Sequence, residues 1–202
     1  LDLWRATEIM DQLSSSELPV ESQLVLLDQG KQQLDRAQRL DGDQPDVFDK
    51  RRQFLFWQAL NLAEAGEERG ALLSQAAEQY REGLKRRPLW PYFWANLAVT
   101  KAEWGIFDQE FRKAVRRTVE TGPWEPRIQL MLIRVDFVEQ QRLDRRSRER
   151  IDVMLQRALQ IQPREVISLA TELSQMPRDC SMIEQEPRPW QCAPYLPEPE
   201  ES

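Results

Sequence analysis

Apolar residues recur at helical spacing along the chain, and proline, glycine and polar clusters cut the recurrences into segments. Leu3, Trp4, Ile9, Met10 and Leu13 predict a first helix over 1–13, broken by Ser14-Ser15-Ser16-Glu17-Leu18-Pro19. A second runs from Pro19 or Val20 to Leu40, ended by Asp41-Gly42-Asp43-Gln44-Pro45. The third, over 46–65, has a broad apolar face, with Phe48, Phe54, Leu55, Trp57, Ala59, Leu60, Leu62 and Ala63; Gly66 stands where a C-terminal cap belongs. Leu72, Leu73, Ala76, Ala77, Tyr80 and Leu84 mark a fourth over 71–86. The punctuation then predicts helices over 91–104, 109–121, 126–140, 144–161 and 164–175, with proline in the first turn of the fifth and Asp108 capping the sixth.

The second helix of each successive hairpin stops near Pro45, Pro88, Pro123 and Pro163, at intervals of 43, 35 and 40 residues. Periods of that size belong to helical solenoids, in which neighbouring hairpins bury the face that each cannot bury alone. The expected fold is therefore all-α. Residues 1–45 form an N-terminal helical hairpin, a degenerate repeat or cap, and 46–176 form the repeat array. Residues 177–202, with six prolines and six acidic side chains, form an extended, acidic, proline-rich tail.

Composition narrows the chemistry. The 202 residues contain no histidine, which excludes a Ser-His-Asp or Cys-His nucleophile and any histidine metal site. Two cysteines cannot close a structural zinc site, and seven scattered glycines form neither a dinucleotide fingerprint nor a phosphate loop. No enzyme, metal or cofactor is expected on these grounds. The net charge of −6 divides into −5 over 1–45, +3 over 46–177 and −4 over 178–202. The middle is too weakly basic for a nucleic-acid groove, so no nucleic-acid partner is expected. Glu64, Glu67 and Glu68 crowd a helix end and read as a solvated terminus.

Cys180 and Cys192 have eleven residues between them in a proline-rich segment. A loop of that size would stabilise by roughly 3 kcal/mol if closed, so the pair reads as a disulfide made in an oxidising compartment. Two free thiols in a cytosolic tail are the alternative. The chain begins with Leu1 rather than methionine, as it would after removal of a leader or membrane anchor, or after truncation.

Ala76, Tyr80, Gly83 and Pro88 resemble the second helix of a tetratricopeptide repeat, and Trp94, Leu97 and Ala98 the first helix of the next. Ile151, Leu155, Ala158 and Pro163 repeat the pattern, while the central repeat departs by one residue before Pro123. The resemblance implies a solenoid of tetratricopeptide-like hairpins whose groove takes a protein or peptide. Within residues 88–130, Trp90-Pro91-Tyr92-Phe93-Trp94-Ala95 and Gly122-Pro123-Trp124-Glu125-Pro126 are similar to the VpsP-type proteins. Those are helical-repeat proteins encoded with bacterial exopolysaccharide synthesis and export machinery. That resemblance implies a non-enzymatic adaptor or scaffold with a protein partner in the assembly. It would work in the periplasm, anchored to the inner membrane by a segment preceding residue 1, with the cytoplasm as the alternative. A module that binds the polysaccharide itself is the second reading.

The two tryptophan strings each straddle a turn between hairpins. Structurally, Trp90 and Trp124 would staple consecutive hairpins, each indole N–H satisfied by a turn carbonyl. Functionally, Trp90, Tyr92 and Trp124 would offer aromatic faces and Glu125 and Arg127 hydrogen bonds at a binding edge. Arg112, Lys113, Arg116 and Arg117 form a basic stripe, and Arg142, Arg145, Arg146, Arg148 and Arg150 a second cluster. Intrahelical pairing with nearby acids is the ordinary fate of such stripes; an anionic polymer or lipid headgroup is the alternative.

Overall fold

The structure, a computed structural model, describes residues 2–15, 18–40, 45–63 and 66–173. Among them every regular element is an α-helix. These are α1 (Asp2–Ser15), α2 (Val20–Leu40), α3 (Pro45–Asn61), α4 (Glu67–Arg86), α5 (Pro91–Glu103), α6 (Gln109–Thr121), α7 (Pro126–Glu139), α8 (Arg145–Ile161) and α9 (Pro163–Glu172). The cysteine pair and the tail lie outside the described residues.

Local chemistry explains the boundaries. Pro45, Pro91, Pro126 and Pro163 each occupy the first position of a helix. The missing N–H is harmless there and the fixed φ is already helical. Pro45 and Pro163 thus open the following helix instead of closing the preceding one; only Pro88 and Pro123 lie within turns. Asp108 caps α6 by accepting from the Phe111 N–H at 2.9 Å, and Asp144 caps α8 by accepting from Arg146 and Ser147 N–H groups, each at 3.1 Å. Gly66 is no C-cap of α3, which ends at Asn61. It stands before α4 at φ 122°, where a side chain would strain the backbone.

The chain divides into two compact units between Ile106 and Phe107. In the first, α1 packs on α2 and α3 on α4; α3 also reaches back to α1 and α2, and α5 packs on α4. Ala6, Met10, Leu27, Leu34, Val47 and Phe54 form one core cluster there. Fully burying each large member contributes about 1.5–3 kcal/mol. Close approach is bought with small residues: a Cβ on Gly83 would come within 2.8 Å of the Phe93 ring, and on Gly30 within 2.2 Å of the Phe54 ring. The repeat-like positions Ala76, Tyr80, Gly83, Trp94, Leu97 and Ala98 are all buried.

In the second unit α7 and α8 pack together, α6 packs on α8, and α9 lies on both α7 and α8. Its core gathers Ile133, Phe137, Leu155, Ala158, Val166 and Ile167.

Candidate functional site

Two turns share one construction. Pro88 and Pro123 each precede by three residues the proline that opens the next helix. In the first turn Trp94 Nε1 donates to the Pro88 carbonyl at 2.8 Å; in the second, Gln129 Nε2 donates to the Pro123 carbonyl at 3.0 Å. Each donor stands one helical turn into the new helix, where its side chain leans back over the turn. The bond satisfies a carbonyl that the turn would otherwise leave unpaired.

That construction corrects the expected staple. The indole that meets the Pro88 carbonyl belongs to Trp94, which is buried, while Trp90 and Trp124 are 44% and 59% exposed. Trp90 lies 5.9 Å from the Tyr92 ring at a 39° tilt, and the Arg87 guanidinium is 5.9 Å from its centre. Trp124 carries the Arg157 guanidinium 4.8 Å over its ring. Glu125 and Arg127 are exposed beside it. Each tryptophan is thus solvent-exposed with an arginine near its ring, the first in the N-terminal unit beside Tyr92, the second in the C-terminal unit beside Glu125 and Arg127.

The two basic stretches of the C-terminal unit come together. Because α6 packs on α8, Arg112, Lys113 and Arg116 face Arg146 and Arg150 across one groove of about 650 Å³. Gln109, Glu110 and Asp144 complete its lining. Some of the charge is spent locally: Arg116 and Arg117 pair with Glu120 at 3.0 and 3.1 Å, and Arg145 with Glu149 at 2.7 Å. Arg112 and Arg150 donate only to the carbonyls of Phe107 and Arg146, at 3.3 and 3.2 Å. Among the described residues Arg112, Arg146 and Arg150 form no ion pair. Burial works to raise the Asp144 pKa. It is outweighed by the hydrogen bonds from the Ser147 hydroxyl and N–H and by the charge of Arg112, which hold the carboxyl below its ordinary range.

One buried cation escaped the sequence reading. Arg52 is 2% exposed, ion-paired with Asp49, its guanidinium 4.3 Å from the centre of the Tyr80 ring and 5.4 Å from that of Phe93. Its Nε and Nη1 have no hydrogen-bond partner. Burial lowers the Arg52 pKa and raises that of the Tyr80 phenol, the latter opposed by the neighbouring guanidinium. Arg52 belongs to the core of the first unit rather than to a binding surface.

No family model, curated protein or solved structure matches the chain. No helix among the described residues is long and apolar enough to cross a membrane. Among the described residues, fold and surface define an all-helical protein with an aromatic turn edge at Trp90 and at Trp124 and a basic groove between α6 and α8.

Proposed function

We propose that the chain is a non-enzymatic, tetratricopeptide-like helical-repeat adaptor that holds a protein partner of a bacterial exopolysaccharide synthesis or export assembly. The single observation that carries this reading is the recurrence of one turn design, Pro88 to Trp94 and Pro123 to Gln129, each time with an exposed tryptophan at its edge. A turn built by a buried donor does not need its exposed tryptophan for stability, so the indole is available for contact. Tryptophan and arginine are the residues on which interface energy concentrates. Packing between next-but-one helices, α1 with α3 in the first unit and α6 with α8 and α7 with α9 in the second, supports a stacked-repeat solenoid. On this reading the protein works at the periplasmic face of the inner membrane, in keeping with the spacing of its two cysteines and the VpsP-like strings.

The test replaces Trp124 and Arg127 by alanine and measures capture of the assembly's proteins. Both side chains are exposed, so helicity and melting temperature should persist. Capture should weaken by about tenfold or more, as for a hot-spot pair. Unchanged capture would remove this edge from the interface.

A further inference from the structure

Trp124 is not isolated on the surface of the C-terminal unit. Arg157, whose guanidinium stands over its ring, is followed one turn later on α8 by Ile161, and then by Gln162, whose amide reaches the Pro126 carbonyl. Ile161 therefore lies between the two points at which this stretch meets the turn, and like Trp124 it is exposed. The Gln162 bond also sets the first turns of α7 and α9 side by side, with Arg127 in one and Arg164 in the other, both exposed. Arg127, Arg157 and Arg164 form no ion pair among the described residues. Two exposed apolar side chains are thus bordered by three cations.

One stretch of the chain outside the described residues has matching chemistry. Residues 194–201, Pro194-Tyr195-Leu196-Pro197-Glu198-Pro199-Glu200-Glu201, carry three prolines, three acids and no basic side chain. Proline fixes φ, so such a segment loses little entropy on docking, and tryptophan-lined surfaces take prolines against the ring. Carboxylates pair with guanidinium groups. Glu125 and Glu165 stand near the same three cations, so charge only selects the acidic end of the segment, and packing on Trp124 and Ile161 supplies the affinity.

The segment also reaches. α9 runs alongside α7: it starts beside the Pro126 carbonyl, and its Glu172 pairs with Arg134 at 3.0 Å. The chain therefore leaves α9 about 12–15 Å from the Trp124 turn, at about 1.5 Å per helical residue. Residues 174–193 connect that point to Pro194, a path of about 65 Å fully extended and about 25 Å root-mean-square as a flexible linker. Closing the Cys180–Cys192 pair would shorten the full path to about 35 Å, still more than the gap. A linker of this length keeps its segment near the site at about millimolar effective concentration, so a contact too weak for a free peptide suffices for a tethered one.

We propose that residues 194–201 of this chain dock on the Trp124–Ile161 surface, prolines against the two apolar side chains and acids toward Arg127, Arg157 and Arg164, and cover the edge until a partner displaces them. The inference deepens the adaptor reading and rests on it for what the tail competes with; the docking itself needs no partner.

Leu196 in the full chain is replaced by photoreactive benzoylphenylalanine. The protein is irradiated alone, at micromolar concentration, as a mixture of isotopically labelled and unlabelled chains, and crosslinked peptides are identified by mass spectrometry. The expected adduct joins residue 196 to the 124–127 or 157–164 stretch of the same chain. P194A/P197A/P199A and, separately, W124A should lower its yield severalfold, with circular dichroism showing both variants folded. A fluorescent peptide of residues 193–202 should bind the proline variant more tightly than the parent, whose edge is covered. Adducts elsewhere in the chain, adducts only between chains, no adduct, a yield unchanged by both variants, or equal peptide affinity for parent and proline variant would overturn the proposal. Where the adaptor reading holds as well, P194A/P197A/P199A should capture more of the assembly's proteins than the parent. A crosslink without any capture leaves the docking standing and removes the adaptor; capture without the crosslink does the reverse.

Discussion

The Gln162 amide donates to the Gln129 side-chain carbonyl at 2.9 Å, joining the start of α9 to the turn that opens α7. Gln129 in turn donates to the Pro123 carbonyl, and Gln162 also to that of Pro126 at 2.8 Å. Both glutamines are buried, so each bond forms where an unmade one is expensive.

Replacing Gln129 by leucine keeps the volume and removes the centre of this chain. It leaves the Pro123 carbonyl without its side-chain donor and costs Gln162 one of its two acceptors. The expected loss is about 2 kcal/mol, equivalent to roughly 4–8 °C in melting temperature for a chain of this size. Thermal denaturation of Gln129→Leu beside the parent measures it.

The glycines at helix contacts give a prediction whose sign is not obvious. Within a helix, glycine to alanine ordinarily gains about 1 kcal/mol. At Gly83 the new methyl would stand 2.8 Å from the buried Phe93 ring, and at Gly30 2.2 Å from the buried Phe54 ring. Overpacking of this kind costs about 1–3 kcal/mol. Gly83→Ala should therefore be neutral to mildly destabilising and Gly30→Ala clearly destabilising, an ordering that urea midpoints resolve.

Arg52 separates the worth of a charge from the worth of the space it fills. With two guanidinium nitrogens unpaired, its desolvation is incompletely offset by Asp49 and the aromatic faces. Arg52→Met, similar in reach, should lie within about 1 kcal/mol of the parent or be more stable. Arg52→Ala should lose about 2–4 kcal/mol through the cavity left against Tyr80 and Phe93. Chemical denaturation of both variants decides between the two contributions.

Asp144 makes stability depend on pH. Its folded pKa lies below the unfolded value, so its contribution is complete above about pH 4, the ordinary aspartate range, and is lost as pH falls through the lower folded value. Asp144→Ala should cost about 1 kcal/mol at neutral pH by loss of the cap. That deficit should shrink on acidification below about pH 4, which denaturation midpoints across the acid range will track.

Among the described residues most helix boundaries were legible because the punctuation is local; the largest exceptions are the end of α3 at Asn61, expected at 65, and the start of α4 at Glu67, expected at 71. Pro91, Pro126 and Asp108 do in the structure what their chemistry predicts from sequence, and Ala76, Tyr80 and Leu97 are buried where periodicity puts them. The errors are equally local in origin. Proline is welcome both just after a helix and at its first position, so Pro45 and Pro163 read as stops although they are starts. Arg52 lies within Asp49-Lys50-Arg51-Arg52-Gln53, a string that looks solvated until α4 and α5 cover one side of it. Trp90 sits closer to its turn in sequence than Trp94 does, yet only the residue one helical turn inward can lean back to the carbonyl. The basic groove was visible as two separate stripes. Their meeting depends on α6 packing against α8, which no local pattern specifies.

The central claim is that the tryptophan-edged turns hold a protein of an exopolysaccharide assembly. Photoreactive residues placed at Trp90 and Trp124, in cells making exopolysaccharide, test it most directly, with captured material identified by mass spectrometry. The account predicts a discrete adduct containing a synthase, polymerase or export component. Adducts containing only polysaccharide, or only a second copy of this chain, would contradict it.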